Sequence, residues 1–298
     1  MNLEERSPKE HVHIGGQAVI EGVMMRGERS FAVAVRKPDR EISVKIDKGA
    51  RWTAANPLLG LVFIRGIVTL AETLVLGMNT LMYSAEQAGD EKEKLSSREL
   101  VFSLTLSVLI TILLFIALPA FVFSRLRATP LNTITLNLIE GSIRIAIFVG
   151  FLFAVSFMAD MKRVFEYHGA EHKTINAYDD LKAKDGFSPD GISPDTVKKY
   201  SPIHPSCGTS FLLMVLLTSI IVFSFLGRPS FLMRILLKLL LLPVVAGVSY
   251  EIIRLARRSP SPLTRALVAP GMWLQKLTTR EPDPSQIEVA IAALKAVI

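Results

Sequence analysis

Long apolar runs separated by short charged connections dominate the chain. The clearest is Leu100 to Ser124, with no charge between Glu99 and Arg125. As a helix rising about 1.5 Å per residue, it crosses a hydrocarbon core about 30 Å thick. Gly141 to Ala159 reads as a second span, with Arg144 snorkelling at its outer end. Thr209 to Leu226 and Phe231 to Tyr250 read as the third and fourth, the last with Arg234 and Lys238 near its start. Residues 56–83 are apolar but contain Arg65 and Glu72. That pattern suits an interfacial amphipathic helix, or a helical hairpin lying in the membrane surface, better than a full span.

Shorter patterns predict the rest. Residues 1–13 are a polar start without the apolar core of a signal peptide. Ile14 to Gly27 is glycine-rich and apolar, with Glu21 as its one acid; it is not a dinucleotide fingerprint, and no βαβ pattern follows. Phe31–Val35 and Glu41–Ile46, around the turn Lys37-Pro38-Asp39-Arg40, predict a β-hairpin. Gly89 to Arg98 is a charged linker. Two Ser-Pro-Asp turns mark Leu181 to Tyr200 as a mobile excursion. After Leu263 come a surface helix with Trp273, a breaker at Arg280 to Pro284, and a last amphipathic helix with Ser285 as N-cap.

The expected fold is mainly α: a polytopic membrane bundle of about four spans, with a small N-terminal β-hairpin region and amphipathic surface helices. Its segments are 1–55 (glycine-rich and hairpin), 56–98 (interfacial helices and linker), 99–160 (two spans), 161–208 (loop), 209–253 (two spans) and 254–298 (tail).

Composition agrees and sets the orientation. Half of the 298 residues are hydrophobic and 20% are charged, which excludes a disordered chain. One cysteine excludes an internal disulfide framework. The net charge of +7 suits attraction to anionic lipid. No nucleic-acid-reading motif accompanies it. Residues 1–99 carry 14 Lys and Arg, residues 160–208 carry 7 and residues 251–298 carry 7, against 3 in each remaining connection with its flanking helix ends. The positive-inside rule then puts both termini and the 160–208 loop in the cytoplasm of a multi-pass membrane protein.

Candidate chemistry lies in that loop. His168-Gly169-Ala170-Glu171-His172 is an H-x-x-E-H pattern. On a helix, His168 and His172 share a face one turn apart and can bind one divalent metal. Glu171 beside them is a candidate general base, the arrangement of an inverted zinc-protease motif. His204-Pro205-Ser206-Cys207 adds a second chelating pair, and its soft thiolate favours zinc, with iron as the alternative. Four protein ligands would make a closed structural site, whereas three leave a place for water and hydrolysis. Glu251 is a further candidate ligand, or an ion-pair partner of Arg254. Glu21 is a weaker candidate, or part of a packed turn. The spans hold few charges and no inverted repeat, which argues against a transporter.

Gly15 to Gly27, His168 to Lys173, His204 to Ser210 and Thr279 to Asp283, taken in order, resemble the YqhQ family of bacterial membrane proteins. The resemblance spans nearly the whole chain. It implies a bacterial cell-membrane location and a metal-dependent enzyme, and names no substrate. Where the family carries a basic residue between Pro205 and Cys207, this chain has Ser206, which leaves the ligands in place but removes a contact to an anionic group. The expected partners are membrane lipids, with a lipid or a membrane protein as substrate, and no nucleic acid. The alternative function is a non-enzymatic scaffold or assembly factor with structural zinc.

Overall fold

Alternation with a period of two builds the N-terminal sheet. β1 (Gly15–Val19), β2 (Gly22–Arg26), β3 (Ser30–Arg36) and β4 (Ile42–Lys48) pair in sequence order, each antiparallel to the next. The expected hairpin is β3–β4, turning at Arg40 with φ 72. The glycine-rich stretch before it forms a second hairpin, turning at Glu21 with φ 50. Its glycines hid it from β propensity. The computed structural model describes residues 14–49, 52, 56–62, 64–89, 97–184, 188–205, 207–258 and 261–298. The polar start, most of the charged linker and Ser206 lie outside them.

Both faces of the sheet are covered, which is why the interiors of β2 and β3 are apolar on consecutive positions. Val23, Met25 and Ala34 face one core, and Val19, Met24, Val33 and Val35 face another. The second core is closed by α1 (Ile64–Ala88) through Leu76, Leu81, Tyr83 and Ala88. α1 is one continuous helix of 25 residues, so the hairpin reading of this segment is set aside.

Among the described residues, four helices are long and apolar enough to cross a membrane by length and composition: Ile64–Ala88, Val101–Leu126, Thr133–Val155 and Phe231–Ala256. Val101–Leu126 comprises most of α2 (Ser97–Ile112), a π-turn at Leu113–Ala117 and α3 (Leu118–Leu126). Pro119, which has no N–H to donate, accounts for the widened turn before it. α4 (Thr133–Val155) begins at an Asn132 cap, eight residues before the expected span, and stops at Ser156. α5 (Ala159–Lys182) follows at once. α6 (Gly208–Ser224) has 17 residues and is apolar but shorter than these four. α7 is Phe231–Arg258, and α8 is Pro262–Thr278.

The first core is closed by α5 and by α9 (Pro284–Lys295). The expected last amphipathic helix is an inner one, with Ile287, Val289, Ala290, Ala293 and Leu294 buried. Its N-cap is Asp283 rather than Ser285. Asp283 Oδ1 accepts from Gln286 N–H at 3.0 Å, and Gln286 Oε1 accepts from Asp283 N–H at 2.9 Å. Pro284 then occupies the first helical position, where no N–H is needed. The Leu181–Tyr200 excursion is also packed down, outside residues 185–187. Ile192 and Val197 insert into the same core.

The bundle corrects two expectations about charge. Arg144 does not snorkel: it is 5% exposed, donating to Ser219 Oγ at 2.6 Å and to the Phe115 carbonyl at 3.1 Å. Nor are buried charges scarce. Glu140 of α4 pairs with Arg234 and Lys238 of α7, and Arg144 lies 3.6 Å from it. All four side chains are buried. Arg234 also stacks on the Phe123 ring at 3.4 Å.

Candidate metal centre

α5 carries His168 and His172 one turn apart, with ring centroids separated by 4.3 Å. The strand-like connection from α8 to α9 crosses this helix. Arg280 N–H donates to the Phe165 carbonyl at 2.9 Å, and a Cβ at Gly169 would collide with the Arg280 carbonyl oxygen. Glycine at 169 is thus the condition for that close crossing. The crossing brings the Thr278 carbonyl to 2.7 Å from His168 Nδ1.

Cys207 arrives from the other end of the loop. It is the N-cap of α6, its Sγ accepting from Thr209 N–H at 3.4 Å. The chain before it is held by Gln275 of α8. The Gln275 side chain accepts from His204 N–H at 2.9 Å and donates to the His204 carbonyl at 2.8 Å. Cys207 Sγ then stands 3.2 Å from His168 Nε2. One potential ligand atom from each of His168, His172 and Cys207 lies within 4.8 Å of the others, a cluster that could hold a metal ion.

The hydrogen bonds decide which ring nitrogens are free. A carbonyl only accepts, so His168 Nδ1 must carry the proton it gives to Thr278. His172 Nδ1 likewise donates to the Pro202 carbonyl at 2.7 Å. In the neutral form of either ring, Nε2 then presents a lone pair. That of His172 is buried without a hydrogen-bond partner. An imidazole with one nitrogen anchored to a carbonyl and the other bare matches a metal ligand with its outer support. Burial, reinforced by His168, lowers the His172 pKa to about 3, so the ring stays neutral. Burial also raises the Cys207 thiol.

Glu171 flanks the histidine pair on α5 and packs against β1. It is 4% exposed, and its Oε2 has no hydrogen-bond partner. Burial raises its carboxyl to about 8, opposed by His168, increased by Cys207 and opposed again by the Ala18 N–H. Gly16 of β1 lies against this carboxylate. Glu171 is thus a buried acid within electrostatic reach of two of the three cluster side chains.

The remaining sequence candidates lie elsewhere. His204 is outside the set of three; its ring centroid is 5.9 Å from that of His172, and its Nε2 is 3.8 Å from Asp179. Glu251 pairs in two-pronged fashion with Arg65 of α1, at 2.7 and 2.5 Å. Glu21 pairs with Arg163 and accepts from the Tyr167 hydroxyl at 3.3 Å. The Ile20 N–H in the same turn donates to Ser84 Oγ at 3.2 Å, which clamps the β1–β2 turn between α1 and α5. Gln275 and the Thr278 and Pro202 carbonyls were missed by sequence reasoning. Gln275 is 0% exposed, a burial that its neighbour Lys276 gives no sign of in the sequence.

A family model described as "protein of unknown function (DUF1385)" matches residues 61–298. The chain is also similar to the "uncharacterized protein YqhQ" of Bacillus subtilis (strain 168). The two are 32% identical over 305 residues, covering 95% of this chain and 92% of that protein. No solved structure matches.

Proposed function

The chain belongs to the DUF1385 family, whose description names no activity, and from that premise we propose a multi-pass membrane metalloprotein that hydrolyses its substrate at the cytoplasmic face of the bilayer. The observation that carries this reading is the buried, unpartnered Nε2 of His172 beside His168 and Cys207. Two nitrogens and a thiolate suit zinc, with iron as the alternative. Once bound, such a metal supplies Lewis acidity and makes water nucleophilic at neutral pH. His168 and His172 would hold it through Nε2, with the Thr278 and Pro202 carbonyls keeping both rings in the required tautomer. Glu171, buried beside them, would take a proton from water and return it to the leaving group. The bond broken is a carboxylic or phosphoric ester or amide, in a lipid or a membrane-proximal peptide.

The orientation supports the same face. The sheet, α5 and α9 form one packed body, built from segments that the positive-inside rule assigns to the cytoplasm. α1 packs on this body as well. Its Arg65 grips Glu251 near the end of α7, and its second half lies on the sheet.

Metal content of the detergent-purified protein tests the reading. Near one zinc or iron per chain is expected in wild type and in Glu171→Gln, with loss in His172→Ala and in Cys207→Ser. No stoichiometric metal after chelator-free purification would overturn it. A second reading, a scaffold with structural zinc, is favoured by the closeness of His204 to His172. X-ray absorption separates the two: four protein ligands mean a scaffold, three with an added oxygen mean an open site.

A further inference from the structure

A cavity of about 180 Å³ lies between α1, α6, α7 and α8. Cys207, one of the three clustered side chains, is part of its wall. The rest is mostly hydrocarbon: Leu70 from α1, Phe211 and Met214 from α6, Ile253 from α7 and Val268 from α8. Four hydroxyl-bearing side chains line it, Thr69, Thr73, Ser210 and Tyr250, and two of these hydroxyls have partners within the protein. Thr73 donates to the Thr69 carbonyl at 2.8 Å, and Ser210 accepts from Gln275 at 3.1 Å. A peptide backbone entering this space would bring N–H and C=O groups and find few partners for them. A hydrocarbon chain brings none.

Size narrows the ligand further. An apolar cavity of about 150 Å³ holds one benzene-sized molecule. This one therefore has room for a short stretch of one chain, and not for the two chains of a diacyl lipid side by side. The outward faces of the same helices are apolar as well. The helices that wall the cavity carry Ile67 and Leu74 of α1, Leu212 of α6, and Leu267 and Trp273 of α8 as exposed residues. Such residues, with a tryptophan among them, suit the boundary between bilayer and water.

We infer that this cavity receives a single acyl chain drawn from the bilayer, so that the site acts on a single-chain acyl lipid. The binding half of this inference stands on the cavity alone; the reaction half rests on the metal-centre reading proposed above. With the chain in the cavity, the Cys207 wall puts the lipid beside the clustered side chains.

Photolabelling of the full chain in membranes tests it. The probe is a fatty acid with a diazirine near its methyl end, and labelled peptides are mapped by mass spectrometry. Labels are expected on residues 66–73, 208–214 and 250–253, and excess palmitate should suppress them at least tenfold. Leu70→Trp and Val268→Phe, on two separate helices, should each lower that labelling about tenfold with metal content unchanged. The exposed-site control Leu74→Phe should not. Labelling spread over the exposed faces of α2 and α4 without competition would overturn the inference. So would labelling unchanged in both filling variants. A chelator-treated sample keeps the two readings apart. Saturable labelling without any metal leaves acyl binding in place and removes the hydrolase, whereas bound metal without saturable labelling removes the acyl ligand alone.

Discussion

Gly16 of β1 lies flat against the carboxylate of Glu171 in α5: a Cβ at position 16 would stand 2.6 Å from Glu171 Oε1. The glycine-rich segment and the histidine motif, far apart in the chain, thus meet at one buried acid. Glycine is needed at 16 for space, not for backbone freedom. Gly16→Ala forces the carboxylate or the strand to shift, and overpacking of this kind costs about 1–3 kcal/mol. A lowered melting temperature of the purified protein is expected, and an unchanged one would show that Glu171 has room to move.

His172→Ala and Cys207→Ser remove members of the cluster, whereas His204→Ala removes a neighbour. Metal analysis by mass spectrometry should find loss in the first two and retention in the third. Loss in all three would instead support the closed four-ligand site.

Gln275 acts on the cluster only through backbone. Its truncation in Gln275→Ala leaves the His204 N–H and carbonyl without their buried partners and loosens the turn that presents Cys207. Support of this kind is worth about 10–100-fold in metal affinity. Competition with a chromophoric chelator should show a weakening in that range, and wild-type affinity would remove Gln275 from the site.

Glu140 is the carboxylate that faces Arg144, Arg234 and Lys238. Glu140→Gln strands three buried cations, and breaking a buried pair costs about 3–5 kcal/mol. Replacing Glu140 by Leu together with Arg234 by Met should cost less, because it removes charges of both signs. Thermal unfolding in detergent, followed by tryptophan fluorescence, ranks the variants. A single variant as stable as wild type would show that the cluster does not need its anion.

Cys207 is the sole cysteine, so thiol labelling reports orientation directly. In intact cells it should react with a membrane-permeant maleimide and not with an impermeant one. Reaction will be slow, because burial raises the thiol pKa and leaves little thiolate. Labelling from outside would reverse the topology.

What the sequence determined by itself was local. Apolar runs marked helices because hydrophobic content and length are properties of a segment. The pairing of His168 with His172 followed from 3.6 residues per turn, and the β3–β4 hairpin from alternation around a turn. The tertiary structure decided everything that depends on which segments meet. Arg65, not Arg254, holds Glu251. Arg144 turns into the bundle because Ser219 of α6 and the Phe115 carbonyl receive it. α9 is amphipathic enough to pass for a surface helix until the sheet and α5 cover it. Cys207 reaches His168 only because Gln275 holds the intervening turn against α8. Spacing along a chain sets the face of a helix, but a hydrogen bond or an ion pair between segments belongs to their packing.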